Sequence, residues 1–378
     1  MKTTLLSLKA FFTICLLCLV GGVNASAQET VTFSDVLTPK NFAATENQYK
    51  TFKTNVASGT IYEGETANGN QAIQLNGSKL GIYTTRSGGY ARKVILEWNS
   101  NTSNSRTVAI YGKEEAYKTT EKADAGKLLS KSKAYQKTDG NRTETIEIKG
   151  NYQYIGINSS NTRALYLNSI TIIWEKVGTF PLTTAQYGTY YTEDAYVMPE
   201  GVLGYTITSE DGKTLKFNET YAAGAVVPAK TALVLKATEE LTANKEYTYT
   251  IVNSTAVAPT NNLLHGSVAE AMTSVEGATA YYKLAQGEDG LGFYYGAENG
   301  GEFKNGAHKA YLAVMTKAMS QMRGFSFDSM TTGINHVVAN AEHAKSTVIY
   351  DLNGRRVNSL NAAAKGVYIV NGKKVIVK

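Results

Sequence analysis

The sequence predicts an all-β protein with two β-sandwich-like domains and a small C-terminal β module. Three observations carry that expectation. Tyr (25) outnumbers Phe (11) more than twofold, and tyrosine suits half-exposed strands because its ring packs while its hydroxyl stays wet. Only 5 Pro accompany 34 Gly, so turns fall mostly to Gly, Asn and Asp, which tolerate positive φ. Short runs of alternating apolar residues are separated by such turn signals along most of the chain. At 378 residues, 43% hydrophobic and 19% charged, the composition is globular, and the length exceeds one core of roughly 100–200 residues.

Residues 1–27 read as a signal peptide. Lys2 and Lys9 precede an apolar stretch from Ala10 to Val20, and Ala25-Ser26-Ala27 follows. That is a charged start, a short apolar centre and an A-x-A site, with cleavage expected between Ala27 and Gln28. The apolar stretch is shorter than the roughly 20 residues a spanning helix needs. Cys18 follows Leu17, where lipid attachment requires a small residue, so soluble export is expected. No second apolar run approaches spanning length, so no transmembrane segment is expected in the mature chain. Cys15 and Cys18 are the only cysteines. Their removal with the leader excludes disulfides, cysteine-ligated metals and thiol nucleophiles from the mature chain.

The first β domain is expected over 28–176. In Lys93-Val94-Ile95-Leu96-Glu97-Trp98, the residues Val94, Leu96 and Trp98 share one face, because side chains alternate along a strand. Thr107 to Tyr111, Thr145 to Ile148 and Ile170 to Glu175 behave alike. Asn76-Gly77, Gly88-Gly89 and Asp139-Gly140 mark turns. Lys113 to Lys133 is polar and reads as either a short helix or a long loop.

The second β-rich domain is expected over 177–329. Candidate strands include Val202 to Thr208, Ala232 to Lys236, Glu246 to Val252, Ala280 to Leu284 and Ala310 to Val314. Ser209 to Lys213 contains an Asp-Gly hairpin turn. Met315, Met319 and Met322 recur at helical spacing, which reads as a core stripe. Residues 330–345 read as a polar linker. In 346–378, Asn353-Gly354 and Asn371-Gly372 sit between alternating apolar runs, the strongest short-range hairpin signal.

The end of the chain carries a resemblance. Gly333-Ile334, then Tyr350-Asp351-Leu352-Asn353-Gly354, then Gly366-Val367-Tyr368, and Lys374 with a terminal Lys378, together resemble the C-terminal sorting domain of type IX secretion substrates. The resemblance implies a bacterial protein that an outer-membrane secretion translocon recognises and carries across the outer membrane to the cell surface or medium. Leu96 to Gly112 and Ala164 to Ile170 are similar to jelly-roll-like accessory modules of such secreted proteins. Tyr187 to Tyr191 with Val197 to Val202 resembles a β module that precedes such tails. Asp328-Ser329-Met330 fits the O-glycosylation pattern of these bacteria, which makes Ser329 a candidate acceptor.

Charge sorts the partners. Without the leader, 36 basic residues face 32 acidic ones, and residues 333–378 alone hold seven basic against two acidic. The body 28–332 is therefore close to neutral, which argues against nucleic acid as a partner.

No His-Glu-x-x-His, Gly-x-Ser-x-Gly or Walker pattern occurs, so no cofactor, metal or catalytic residue is expected. His265, His308, His336 and His343 are scattered. Glu97 and Glu175 fall on the solvent side of their strands, and Trp98 and Trp174 in phase with the core. Asp35, Glu288, Asp289 and Glu298 lie near turns without the regular oxygen spacing of a Ca²⁺ loop. The expected ligand-binding residues are Tyr83, Arg86, Tyr90 and Arg92, aromatic and cationic groups around Gly88-Gly89 on a flexible loop. The sequence thus points to an exported, non-catalytic surface or secreted protein that binds glycan or another extracellular macromolecule. The alternative is a secreted glycoside hydrolase whose two carboxylates lie far apart in sequence.

Overall fold

The structure is a computed structural model that describes residues 29–42, 46–209, 214–327 and 331–332. Towards the C-terminus it also describes 349–351, 356–357, 366–370 and 373–377. The expected leader with Ala27 and Gln28, Ser329, Gly333, Gly354 and Lys378 lie outside the described residues, as does the expected linker 330–345 apart from Thr331–Thr332, which form a short strand instead. The chain divides into two compact units, Met1–Gly333 and Ile334–Lys378. The fold is all-β, and among the described residues the strands of its sheets pair antiparallel except for one short parallel pair.

The first eleven strands are β1 (Thr32–Leu37), β2 (Lys50–Asn55), β3 (Ile61–Gly69), β4 (Ala72–Leu75), β5 (Gly81–Arg86), β6 (Gly89–Trp98), β7 (Val108–Lys113), β8 (Lys127–Lys131), β9 (Thr143–Glu147), β10 (Tyr154–Ser159) and β11 (Leu165–Leu182). One layer runs β8-β7-β10-β5-β3, with β2 beside β3. The other runs β4-β11-β6-β9, with β1 on β11. β3 joins them, pairing with β5 and β2 at its start and with β4 at its end. Between the layers Tyr62, Ile82, Ile110 and Ile157 meet Val94, Leu96, Trp98, Ile172 and Trp174 in one buried cluster. This is the sandwich that the alternation predicted, and both tryptophans are fully buried.

Two bulges interrupt the pairing of β6 with β11. Lys93 pairs with Ile173 and Ala91 with Trp174, which leaves Arg92 as an extra residue in β6. A bulge shifts side chains by one position, so Arg92 and Lys93 both turn away from the core. Asn168 is the extra residue of β11 opposite Trp98 and Glu97.

The polar stretch 113–133 carries a short helix, as one of the two expectations had it, and also a strand that neither expected. It holds a 3-10 turn at Ala123–Ala125 and the strand β8.

The domain boundary expected at 176/177 falls inside β11. Beyond it come β12 (Tyr187–Tyr190), β13 (Tyr196–Val197), β14 (Val202–Ser209), β15 (Leu215–Tyr221), β16 (Val226–Val227), β17 (Leu233–Ala237) and β18 (Lys245–Thr250). β18 pairs with the second half of β11, Val177 opposite Thr250 through Leu182 opposite Lys245. Phe180 and Leu182 thus enter a second cluster with Tyr190, Tyr196, Leu233 and Tyr249.

Next come β19 (Leu264–Ser267), β20 (Ala271–Met272), β21 (Ala280–Gly287), β22 (Gly290–Tyr295), β23 (Lys304–Asn305), β24 (Lys309–Val314), β25 (Gly324–Ser326) and β26 (Thr331–Thr332). The sheets β12-β17-β14-β15-β26 and β19-β24-β21-β22-β25 share a cluster in which Ile207, Phe217 and Val234 meet Tyr282, Phe293 and Leu312. The strands β14 and β15 flanking the expected Asp-Gly turn pair as a hairpin, Ser209 opposite Leu215, while the turn residues 210–213 lie outside the described residues.

The methionine stripe is corrected. Only Lys317–Ser320 is helical, a single turn α1, with Met319 buried and Met315 and Met322 exposed. The Tyr282 hydroxyl bonds to the carbonyls of Met319 and Met322, both at 2.8 Å, so the chain turns towards β25 before the helix continues.

The C-terminal unit holds β27 (Ile349–Asp351), β28 (Arg356–Val357), β29 (Gly366–Val370) and β30 (Lys373–Val377) in the order β28-β27-β29-β30. Tyr350 and Asp351 lie opposite Ile369 and Tyr368, Gly366 opposite Val377, and Lys374 opposite Ile369.

Candidate functional site

The four residues expected to bind a ligand do not converge. β5 and β6 are not a hairpin: β5 pairs with β3 and β10, β6 with β11 and β9. The segment between them crosses from one layer to the other, and its backbone is held. Ser87 Oγ donates to the Gln153 carbonyl, and Val177 N to the Gly88 carbonyl.

Tyr83 is 2% exposed, against the expectation of an exposed ring. Its ring stacks on Tyr117 at 5.3 Å, and its hydroxyl accepts from Thr120 N at 3.1 Å. The segment carrying Tyr117 and Ala123 folds over the outer face of β5 and β10. Gly156 admits it, since a Cβ there would stand 2.3 Å from the Ala123 carbonyl oxygen. Arg86 sits at the exposed end of β5.

Only Tyr90 and Arg92 meet, with the guanidinium 5.3 Å from the ring centroid. Arg92 is committed to structure. Its Nε and Nη2 donate to the two Glu175 oxygens, each at 2.9 Å, Nη1 to the Gly150 carbonyl at 2.7 Å, and Nη2 also to Asn151 Oδ1 at 3.0 Å. Glu97 is exposed as expected, whereas Glu175 is half-buried. Burial pushes its carboxyl up, but the Arg92 guanidinium and the Thr250 hydroxyl more than offset this and hold it below its ordinary value.

Asp35 lies in β1 at 3% exposure rather than near a turn. Its Oδ2 accepts from the Tyr62 hydroxyl at 2.8 Å and from Trp174 Nε1 at 2.9 Å. Its carboxyl group is satisfied by two donors, as buried polar groups require. Among the described residues no group of three His, Cys, Asp or Glu is arranged for a metal ion.

A concavity lies elsewhere. A cleft of about 510 Å³ opens between the second half of β11 and β12, closed by the turn Ala307 to Lys309, with Lys176, Tyr190, Thr192, Asp194, Tyr249 and His308 in its wall. The geometry at His308 is unusual. Its φ of +56° is left-handed, a region that a side chain other than Gly occupies at a cost. Three contacts hold it there: His308 N donates to the Ser267 carbonyl, Tyr191 N to the His308 carbonyl, and Nδ1 stands 3.1 Å from the Tyr191 carbonyl. A carbonyl only accepts, so Nδ1 carries the proton.

The exposed His308 ring lies over Tyr190 at 6.0 Å and 17°. Tyr190 in turn shares a hydroxyl bond with Tyr249. Burial, above all, pushes the Tyr190 phenol up and the Tyr249 phenol well up, so both are neutral at physiological pH. Lys176 Nζ lies 3.4 Å from Asp194 Oδ2, both side chains about two-fifths exposed (43% and 42%). The wall therefore offers a rigid aromatic face, hydroxyls and one loose ion pair.

A second cleft, of about 550 Å³, shares Thr189 and Lys309 with the first and adds Tyr187, Lys283, Phe303 and Lys304. His308 was visible in the sequence only as one of four scattered histidines. The partners of its ring, Tyr190 and Tyr191, come from a segment more than 100 residues away, Tyr191 lying 117 positions earlier. The chain matches no known family model, and no curated protein is recognisably similar to it.

Proposed function

We propose that this is an exported, non-catalytic surface or secreted protein that binds glycan through the Tyr190–His308 cleft. The observation that carries the reading is the exposed imidazole face of His308, fixed at φ +56° and backed by Tyr190. Sugar rings present apolar C–H faces that stack on aromatic rings and hydroxyls that need donors and acceptors. The cleft supplies both, the latter from Thr192, Lys176 and Asp194. A concave site with an apolar floor and a few placed polar groups is the general form of a small-ligand site. The sequence resemblance of the tail supports delivery by a type IX-like route.

The test is a glycan array probed with the full chain, followed by titration of the best ligand. His308→Ala is expected to weaken binding about three- to tenfold, the range for losing one ring contact. A protein that retains no glycan, or one indifferent to this change, overturns the reading, and release of reducing ends would replace it with hydrolysis. For export, deletion of 333–378 is expected to leave the protein in the periplasm, and finding it on the surface would refute the sorting role.

A further inference from the structure

We infer that the two clefts form one track for an anionic polysaccharide, with Lys309 as the cation shared between them. The inference rests on the glycan reading above and names the class of glycan.

The clefts are adjacent, because Thr189 and Lys309 line both. Their ionisable walls are unbalanced. Those of the second cleft are Lys283, Lys304 and Lys309, with no carboxylate in its lining, while the first sets Lys176, His308 and Lys309 against Asp194 alone. Lys236 adds a further ammonium, 5.4 Å from the Tyr187 ring that lines the second cleft. Of these, Lys304 is paired with Glu270 at 2.6 Å. Lys283 and Lys309 meet no carboxylate among the described residues.

This excess is local, since residues 28–332 as a whole are near neutral. Lys283 and Lys309, which meet no carboxylate among the described residues, raise the local potential of the concavity and favour an anionic ligand. Lys309 is also presented on a fixed backbone. Its N donates to the Gly306 carbonyl at 3.2 Å, and its own carbonyl accepts from Asn305 Nδ2 at 2.8 Å. Asn305 is itself 5% exposed. Two clefts in a row, with aromatic rings in each and cations between, match a chain of sugars bearing carboxylate or sulfate groups better than a single sugar.

The experiment measures binding of the full chain to polygalacturonate, dextran sulfate, neutral dextran and single-stranded DNA across a salt series. The two acidic polysaccharides are expected to bind more tightly than dextran, with affinity falling as salt rises. Polygalacturonate and dextran sulfate separate carboxylate from sulfate as the preferred group. Lys309→Ala is expected to weaken acidic-polymer binding by about fivefold, the ceiling for one exposed ion pair. Lys309→Arg should restore it, and Lys283→Ala should repeat the loss. Circular dichroism should be unchanged, because both side chains are exposed.

Dextran bound as tightly as the acidic polymers, without salt dependence, would overturn this inference and leave the glycan reading standing. Acidic-polymer binding unmoved by both lysine changes, or matched by DNA, would also overturn it. Failure to retain any polysaccharide would remove the glycan reading and this inference together.

Discussion

Arg92 and Glu175 form a two-pronged ion pair across neighbouring strands, with Arg92 Nε and Nη2 each 2.9 Å from a carboxylate oxygen of Glu175. The bulge in β6 makes it possible by turning Arg92 out of the core beside β11. Both side chains are largely shielded, at 26% and 12% exposure. Arg92→Ala is expected to cost about 2 kcal/mol, because charged hydrogen bonds are lost and Glu175 keeps only Thr250. Arg92→Lys should recover less than half, since an ammonium cannot reproduce the planar fork. Urea unfolding of the full chain measures both.

Three carboxylates make the fold acid-sensitive. Burial pushes Glu63 and Glu175 up, yet Lys53 with Thr85 and Arg92 with Thr250 bring them below their ordinary value of 4.5. Glu121 is lowered by Lys113 and the Lys118 backbone. A group whose folded pKa is depressed contributes stability above its unfolded pKa and loses it as pH falls through the folded one. Stability is therefore expected to hold above pH 4.5 on this account and to decline below it. Arg92→Ala should flatten the decline. A denaturation midpoint independent of pH between roughly 2 and 5 would contradict this assignment.

Asp35 is buried in the first sandwich at 3% exposure. Asp35→Ala leaves the Tyr62 hydroxyl without its acceptor and Trp174 Nε1 with only the Tyr62 oxygen at 3.3 Å, and is expected to cost about 3 kcal/mol. Asp35→Asn keeps an acceptor oxygen and should cost about 1 kcal/mol. Thermal unfolding, with near-ultraviolet dichroism to follow the packing of the buried aromatic rings, distinguishes the two.

The strain at His308 is separable from its contacts. His308→Gly and His308→Ala both remove the ring, but only Gly takes φ +56° without penalty. The glycine variant is expected to be about 1 kcal/mol more stable than the alanine variant, with equal loss of glycan binding. Equal stability of the two would show that the turn relaxes when the ring is removed.

Much of the strand content was legible because burial on one face of a strand imposes a period of two. Val94, Leu96 and Trp98, or Ile170, Ile172 and Trp174, need no partner to reveal their phase. What the period conceals is the place where it slips. Arg92 and Asn168 shift phase through pairing with the neighbouring strand, and no local composition marks them. The burial of Tyr83 escapes the sequence for a related reason. The residue sits in a strand with a wet-looking sequence, and its burial comes from Tyr117 and Ala123, whose approach depends on Gly156.

The amino-acid sequence by itself determined the all-β class, the strand phases, the absence of cysteine beyond the expected leader and the neutrality of the body. These are properties of single residues and their near neighbours. Only the tertiary structure decided that β11 carries the chain from one cluster into the next, and that Lys176, Tyr190, Tyr249 and His308 share one cleft. A cleft is made by segments that meet through strand pairing across long stretches of chain, and such pairing is set by burial of whole sheet faces rather than by any local motif.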